Sequence, residues 1–150
     1  MSSQIASHAT VFFLSYLAFF VAVVSGLLFL VEEEGLKRKD PRILRSKAIS
    51  LEALDRANLW AVVIGFSLFS AGMFEGHLLA RTNWGAFWTG DPKEIWSLLT
   101  WGAYASLLGL RVTLGLRGRR LVILSLMSFL LVMFTFVGVN YWIGGKHVFF

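Results

Sequence analysis

The sequence predicts an all-α fold: a polytopic membrane helical bundle of four transmembrane helices, with a short cytoplasmic amphipathic helix after the first. Three observations predict it. The mean hydropathy of +0.69, with 57% hydrophobic against 15% charged residues, lies far above that of a soluble domain. Four apolar runs reach the roughly 20 residues that a helix needs to cross the hydrocarbon core. None of these runs carries a charge near its centre. The 150 residues leave room for one membrane domain.

The first run extends from about Ala9 to Val31. The polar stretch before it, MSSQIASHAT, has no positive n-region, and no small-residue cleavage pattern ends the run, so the sequence reads as a retained span. The loop that follows is basic. Asp40-Pro41 reads as an N-cap with proline at the first helical position. Leu44, Ala48, Leu51 and Leu54 then recur at helical spacing among charges, the pattern of an amphipathic helix lying on a membrane face. The second run covers about Leu59 to Leu79, and a tryptophan-rich loop spans about 80–94. The third run covers about Ile95 to Leu114 and the fourth about Leu121 to Ile143. Gly26, Gly65, Gly102, Gly109 and Gly138 lie inside these runs, where small residues let helices approach closely.

Lysine and arginine set the expected direction. Eleven lie in the first and third loops and their flanks, and only Arg81, Lys93 and Lys146 lie on the other side. The positive-inside bias therefore places both termini and the tryptophan loop outside the cytoplasm. The same clustering accounts for the net charge of +5 by membrane topology and argues against nucleic acid as a partner. The absence of cysteine excludes disulfides, thiolate metal sites and covalent haem attachment through this chain's own thiols.

The unusual chemistry gathers on the external side. The loop WGAFWTGDPKEIW holds three tryptophans, both signs of charge and a proline. Asp91-Pro92-Lys93-Glu94 is a helix start, so capping accounts for at least part of the role of Asp91 and Glu94. Trp60 and Trp142 sit near run ends, as interfacial indoles do. Trp84, Trp88, Trp96 and Trp101, with Phe87 and Tyr104, exceed what an interface belt needs. Trp84 and Trp88 are four apart, so a helical turn would put them on one face. Together these rings would form a flat apolar platform suited to a large planar ligand. His8, His77 and His147 are all expected on this side. An imidazole beside an aromatic shelf can serve as an axial ligand of haem iron, with Arg81 and Lys93 available to haem carboxylates.

These stretches also resemble a known family. WGAFWTGDPKEIWSLLTW is similar to the tryptophan-rich signature of the cytochrome c assembly proteins of CcsA-like type. SHATVFFLSYLAFFVAVVSGLLFL is similar to the family's histidine-bearing entry to a core helix, and LEALDRANLWAVVIGFSLFSAGM to the segment before the signature. RGRRLVILSLMSFLLVMFTFVGVNYWIGGKH is similar to the closing helix and final histidine. The resemblance implies that His8 and His147 ligate haem iron and that Trp84, Gly85, Trp88, Asp91 and Trp96 belong to the loop that cradles non-covalent, b-type haem. It implies a haem chaperone, or part of a cytochrome c synthase complex, more than an enzyme on its own. Such a protein presents haem to apocytochrome c beside other assembly subunits, in the cell inner (plasma) membrane or an equivalent energy-transducing membrane. Gly90 stands where the signature usually has a further tryptophan, and family members usually have more spans. Two other readings use the same residues: a bis-histidine electron-transfer subunit of a respiratory complex, and a cofactor-free structural subunit whose tryptophan loop docks a neighbour.

Overall fold

The structure is a computed structural model that describes residues 2–45, 49–88 and 90–143. Among these residues every regular element is helical: α1 (Ser2–Lys37), α2 (Pro41–Arg45), α3 (Leu51–Trp84), α4 (Pro92–Leu114) and α5 (Arg119–Met133), which continues as a π-helical segment, Phe134–Ile143. Three stretches are long and apolar enough to cross a bilayer, Ala6–Lys37, Leu51–Asn83 and Arg119–Gly138. The third expected span is not among them. α4 has the length, 23 residues or about 35 Å, but threonine, serine, tyrosine, tryptophan and Arg111 dilute its apolar character. It nonetheless runs the length of the bundle, from Trp96 beside Phe134 at one end to Arg111 on Asp55 at the other.

The helix ends follow from local chemistry. Asp40 Oδ1 accepts from the Arg42 N–H and starts α2 as expected. The helical pattern read across the first loop divides here: α2 has five residues, and Leu51 and Leu54 open α3, whose N-cap Ser50 accepts from the Ala53 N–H. Ala48 of that pattern lies outside the described residues. α3 is therefore a turn or two longer at each end than the apolar run that marks it.

The principal pair is α1 against α3, antiparallel. Small residues on α3 seat aromatic rings of α1. A Cβ built on Gly65 would lie 2.6 Å from the Phe19 ring, and one on Gly72 would lie 2.9 Å from Phe12. A Cβ on Gly76 would lie 2.9 Å from His8 Cε1. Only glycine permits these approaches. Gly26 contributes similarly against Val122 and Asn58, whereas Gly102 and Gly109, expected to do so, face open space.

Buried polar groups lock the pairing, because hydrocarbon offers them no alternative partner. Ser15 Oγ donates to the Gly65 carbonyl at 2.8 Å, and Asn58 Nδ2 donates to the Ala22 carbonyl at 2.7 Å and to Ser125 Oγ at 3.2 Å. Thr100 and Thr135 join α4 to the π-helical segment at 3.1 Å. In the core, Phe19 and Tyr104 stack with centroids 4.0 Å apart and planes 8° from parallel. At the arginine-rich end, Arg111 grips Asp55 through two hydrogen bonds of 3.2 and 2.9 Å, and the Gly118 N–H adds a third at 3.0 Å. That carboxylate ties the start of α3 to the end of α4 and to the turn into α5.

Candidate functional site

Arg111, Arg119, Lys37 and Arg38 gather at one end of the bundle, and His8, His77 and the tryptophan loop at the other. At the second end α1, α3 and α4 leave a cleft with about 70 Å³ of internal space. His8 and Phe12 of α1, Met73, Gly76 and His77 of α3, and Lys93, Glu94 and Ser97 of α4 line it.

His8 reaches this cleft because Gly76 has no side chain. Its ring lies over the Gly76 backbone and meets Phe12 edge to face at 4.9 Å. His77 is fixed differently. Its Nδ1 lies 2.7 Å from the Met73 carbonyl. A carbonyl only accepts, so Nδ1 carries the hydrogen and Nε2 keeps a lone pair. The His77 ring also lies nearly parallel to the Trp88 indole, 23° between planes and 6.0 Å between centroids. Trp88 and Phe87 are each nearly half exposed, and the Arg81 guanidinium sits 4.8 Å above the Phe87 ring.

The loop is built on two left-handed glycines. Gly85, with φ +72°, ends α3 and donates its N–H to the Arg81 carbonyl at 3.0 Å. Gly90, also at φ +72°, precedes the next helix start. Asp91 is 5% exposed, and its Oδ1 accepts from the Lys93 N–H at 2.9 Å. Pro92 opens α4 as expected, and Glu94 reaches back to the Gly90 N–H at 3.0 Å, one residue earlier than a capping box would place it. Burial holds the Lys93 ammonium below the usual lysine range, and the Asp91 charge partly offsets this.

The single platform of indoles expected from the sequence is not what these residues form. Trp84 and Trp88 do not share a helical face, because the helix stops at Trp84 and Trp88 lies in the loop. The Trp84 side chain itself lies outside the described residues. Trp96 turns toward the π-helical segment and packs on Phe134 with centroids 4.4 Å apart. Trp101 packs on Phe66 and donates its indole N–H to Ser70 Oγ at 2.9 Å. Tyr104 is a core residue, 1% exposed against Phe19. Of the described rings of this loop, Phe87 and Trp88 are exposed, and Trp88 lies beside the cleft against His77. His147 lies outside the described residues. His77 and Gly76 line the cleft, and the sequence had given neither a role.

Among the described residues no cluster of three or more histidine, cysteine, aspartate or glutamate side chains could hold a bare metal ion. The donor chemistry is that of isolated imidazoles beside aromatic surface. A second hollow of about 230 Å³, lined by Ser7, Glu75, Leu78, Leu79 and Thr82, contains no imidazole.

Residues 1–147 match a family model described as cytochrome C assembly protein. A CcsA cytochrome c biogenesis protein of Prochlorococcus marinus (strain MIT 9312) is 30% identical over 97% of this chain and 53% of its own length. Proteins of the same name from Gloeobacter violaceus and Chlamydomonas reinhardtii are 40% and 31% identical over 64% and 93% of this chain. The matches cover 28% and 38% of those two relatives. The chain thus spans about half the length, or less, of the curated relatives it matches.

Proposed function

Because this chain belongs to the cytochrome c assembly protein family, we propose that it is a haem-holding membrane protein of cytochrome c biogenesis. In this reading it keeps non-covalent b-type haem at the tryptophan end of the bundle and presents it for attachment to apocytochrome c, beside other assembly subunits. The observation that carries the reading is the convergence of His8 and His77 on one cleft next to the exposed ring of Trp88.

The residues present fit such a group in kind. Imidazole suits iron, exposed Phe87 and Trp88 suit a flat macrocycle, and Lys93 suits a carboxylate. The cleft does not engulf it: about 70 Å³ is well below the volume of small-ligand pockets, on the order of 300–1,000 Å³. The cleft would therefore admit only part of the group, with the exposed rings of Phe87 and Trp88 available to the rest. Haem, when bound, supplies iron with axial positions and a vinyl edge for thioether formation. The chain's own residues hold and orient. His8 and His147 would hold the iron through imidazole nitrogens. Gly85 and Gly90 shape the loop that carries Phe87 and Trp88, and Asp91 fixes that loop to α4.

The basic loops then face the cytoplasm, α4 serves as a fourth crossing, and both termini lie on the opposite side of an energy-transducing membrane. Hemin titration of the purified chain in detergent tests the reading. A Soret band with a low-spin visible spectrum is expected, and His147→Ala should convert it to high spin. Uptake of no hemin, or a His147→Ala spectrum identical to wild type, sinks the assignment. Transfer of haem to an apocytochrome during turnover separates presentation from a redox subunit, which would retain it.

A further inference from the structure

The structure assigns His77 a part in the same site: His77 and His8 offer two interchangeable imidazole nitrogens from one cleft to one axial face of the iron. This inference rests on the haem-holding reading above. The two rings flank Gly76 and line a single small cleft, so they address the same side of anything lying across its mouth. His77 is preset for the task. Its Nδ1–H is committed to the Met73 carbonyl at 2.7 Å, which leaves the Nε2 lone pair as its remaining function. The Trp88 indole fixes the ring plane from one side. Met73, Gly76 and His77 belong to one continuous turn of α3, so this imidazole stands on a rigid wall, whereas His8 is carried by α1 and is seated by packing on Gly76 and Phe12.

The arrangement suits a carrier. With two imidazoles in one cleft, either nitrogen could hold the iron once the other had left it. No bond other than iron–nitrogen coordination forms or breaks, and no redox step is needed.

Hemin titration of single and double variants of the full chain in detergent, read by visible absorption and electron paramagnetic resonance, tests this. His77→Asn is the informative change. The asparagine amide keeps a donor for the Met73 carbonyl and removes the distal nitrogen. His8→Ala alone and His77→Asn alone should each remain six-coordinate and low-spin. The His8→Ala/His77→Asn double variant should become high-spin, and added imidazole should restore low spin. Conversion of His8→Ala alone to high spin would overturn the proposal, as would a double variant that stays low-spin. A wild-type chain that takes up no hemin overturns the haem reading and this one together. A wild-type chain that binds while His77→Asn changes nothing in the His8→Ala background overturns only the role of His77.

Discussion

The His8 imidazole rests on the backbone of Gly76, at a distance that leaves no room for a Cβ there. A methyl group at 76 would stand 2.9 Å from Cε1, closer than carbon atoms tolerate. In a His77→Asn background, where no second imidazole can stand in, Gly76→Val should therefore push His8 out of the cleft and lower hemin affinity by about tenfold, or 1.4 kcal/mol. Helix content should be retained, because the better helix propensity offsets part of the crowding cost. Gly102→Ala is the control: nothing lies within 4 Å of a Cβ there, so binding should not change. Equal loss of affinity in both variants would show that the effect is general loosening, not displacement of His8.

Gly90 occupies the place of a further tryptophan in the family's signature, and the structure gives that substitution a conformational meaning. Its φ of +72° is left-handed, a region that side chains with a Cβ enter at a cost of about 1–3 kcal/mol. Its N–H is also the donor for Glu94 Oε2. Restoring the indole by Gly90→Trp should lower the melting temperature and disturb the start of α4, with no gain in hemin affinity. Tighter binding at unchanged stability would mean that the loop simply lost a stacking ring.

The fold was legible where sequence carries its own punctuation. Asp40-Pro41 and Asp91-Pro92 mark two helix starts because the capping partner lies two residues away. The site was less legible because rotation about a helix axis is set by partners distant in the chain. Trp96, Trp101 and Tyr104 are close neighbours in sequence, yet they face Phe134, Ser70 and Phe19 respectively. No spacing rule distinguishes those outcomes. Gly76 and His77 were opaque for the same reason: their meaning depends on His8, on the opposite helix, and on Trp88, past a turn whose geometry Gly85 decides. The extent of α3 was underestimated because its first turns are charged: Glu52 and Arg56 are exposed, and Asp55 turns inward to Arg111 of α4.

Asp55 and Arg111 form a largely buried, two-bond ion pair that also receives the Gly118 N–H. Removing one partner leaves a charge without its counter-ion in a poorly solvated setting. Arg111→Met should destabilise the chain by about 3 kcal/mol, and the Asp55→Leu/Arg111→Met pair should recover much of that loss. Thermal unfolding in detergent followed by circular dichroism measures both. Since the pair lies at the end of the bundle opposite His8, the hemin affinity of the folded fraction should be unaffected. A single variant as stable as wild type would show that solvent reaches the pair freely.

Lys93 makes the site sensitive to alkaline pH in a direction that can be worked out. Burial lowers its pKa from 10.5, with Asp91 acting in the opposite sense. Below the lowered value the ammonium is charged in the folded and unfolded chain alike, and the cost of burying it is fully present. Between the lowered value and 10.5 the unfolded chain binds more protons, so stability from this group rises with pH. Ligand binding runs the other way. A carboxylate placed beside Lys93 favours the charged form, so binding takes up a proton in that window and affinity falls as pH rises. Lys93→Met should weaken hemin binding in neutral solution and flatten its alkaline pH dependence. A Lys93→Met variant that keeps the wild-type slope would place the titrating group elsewhere.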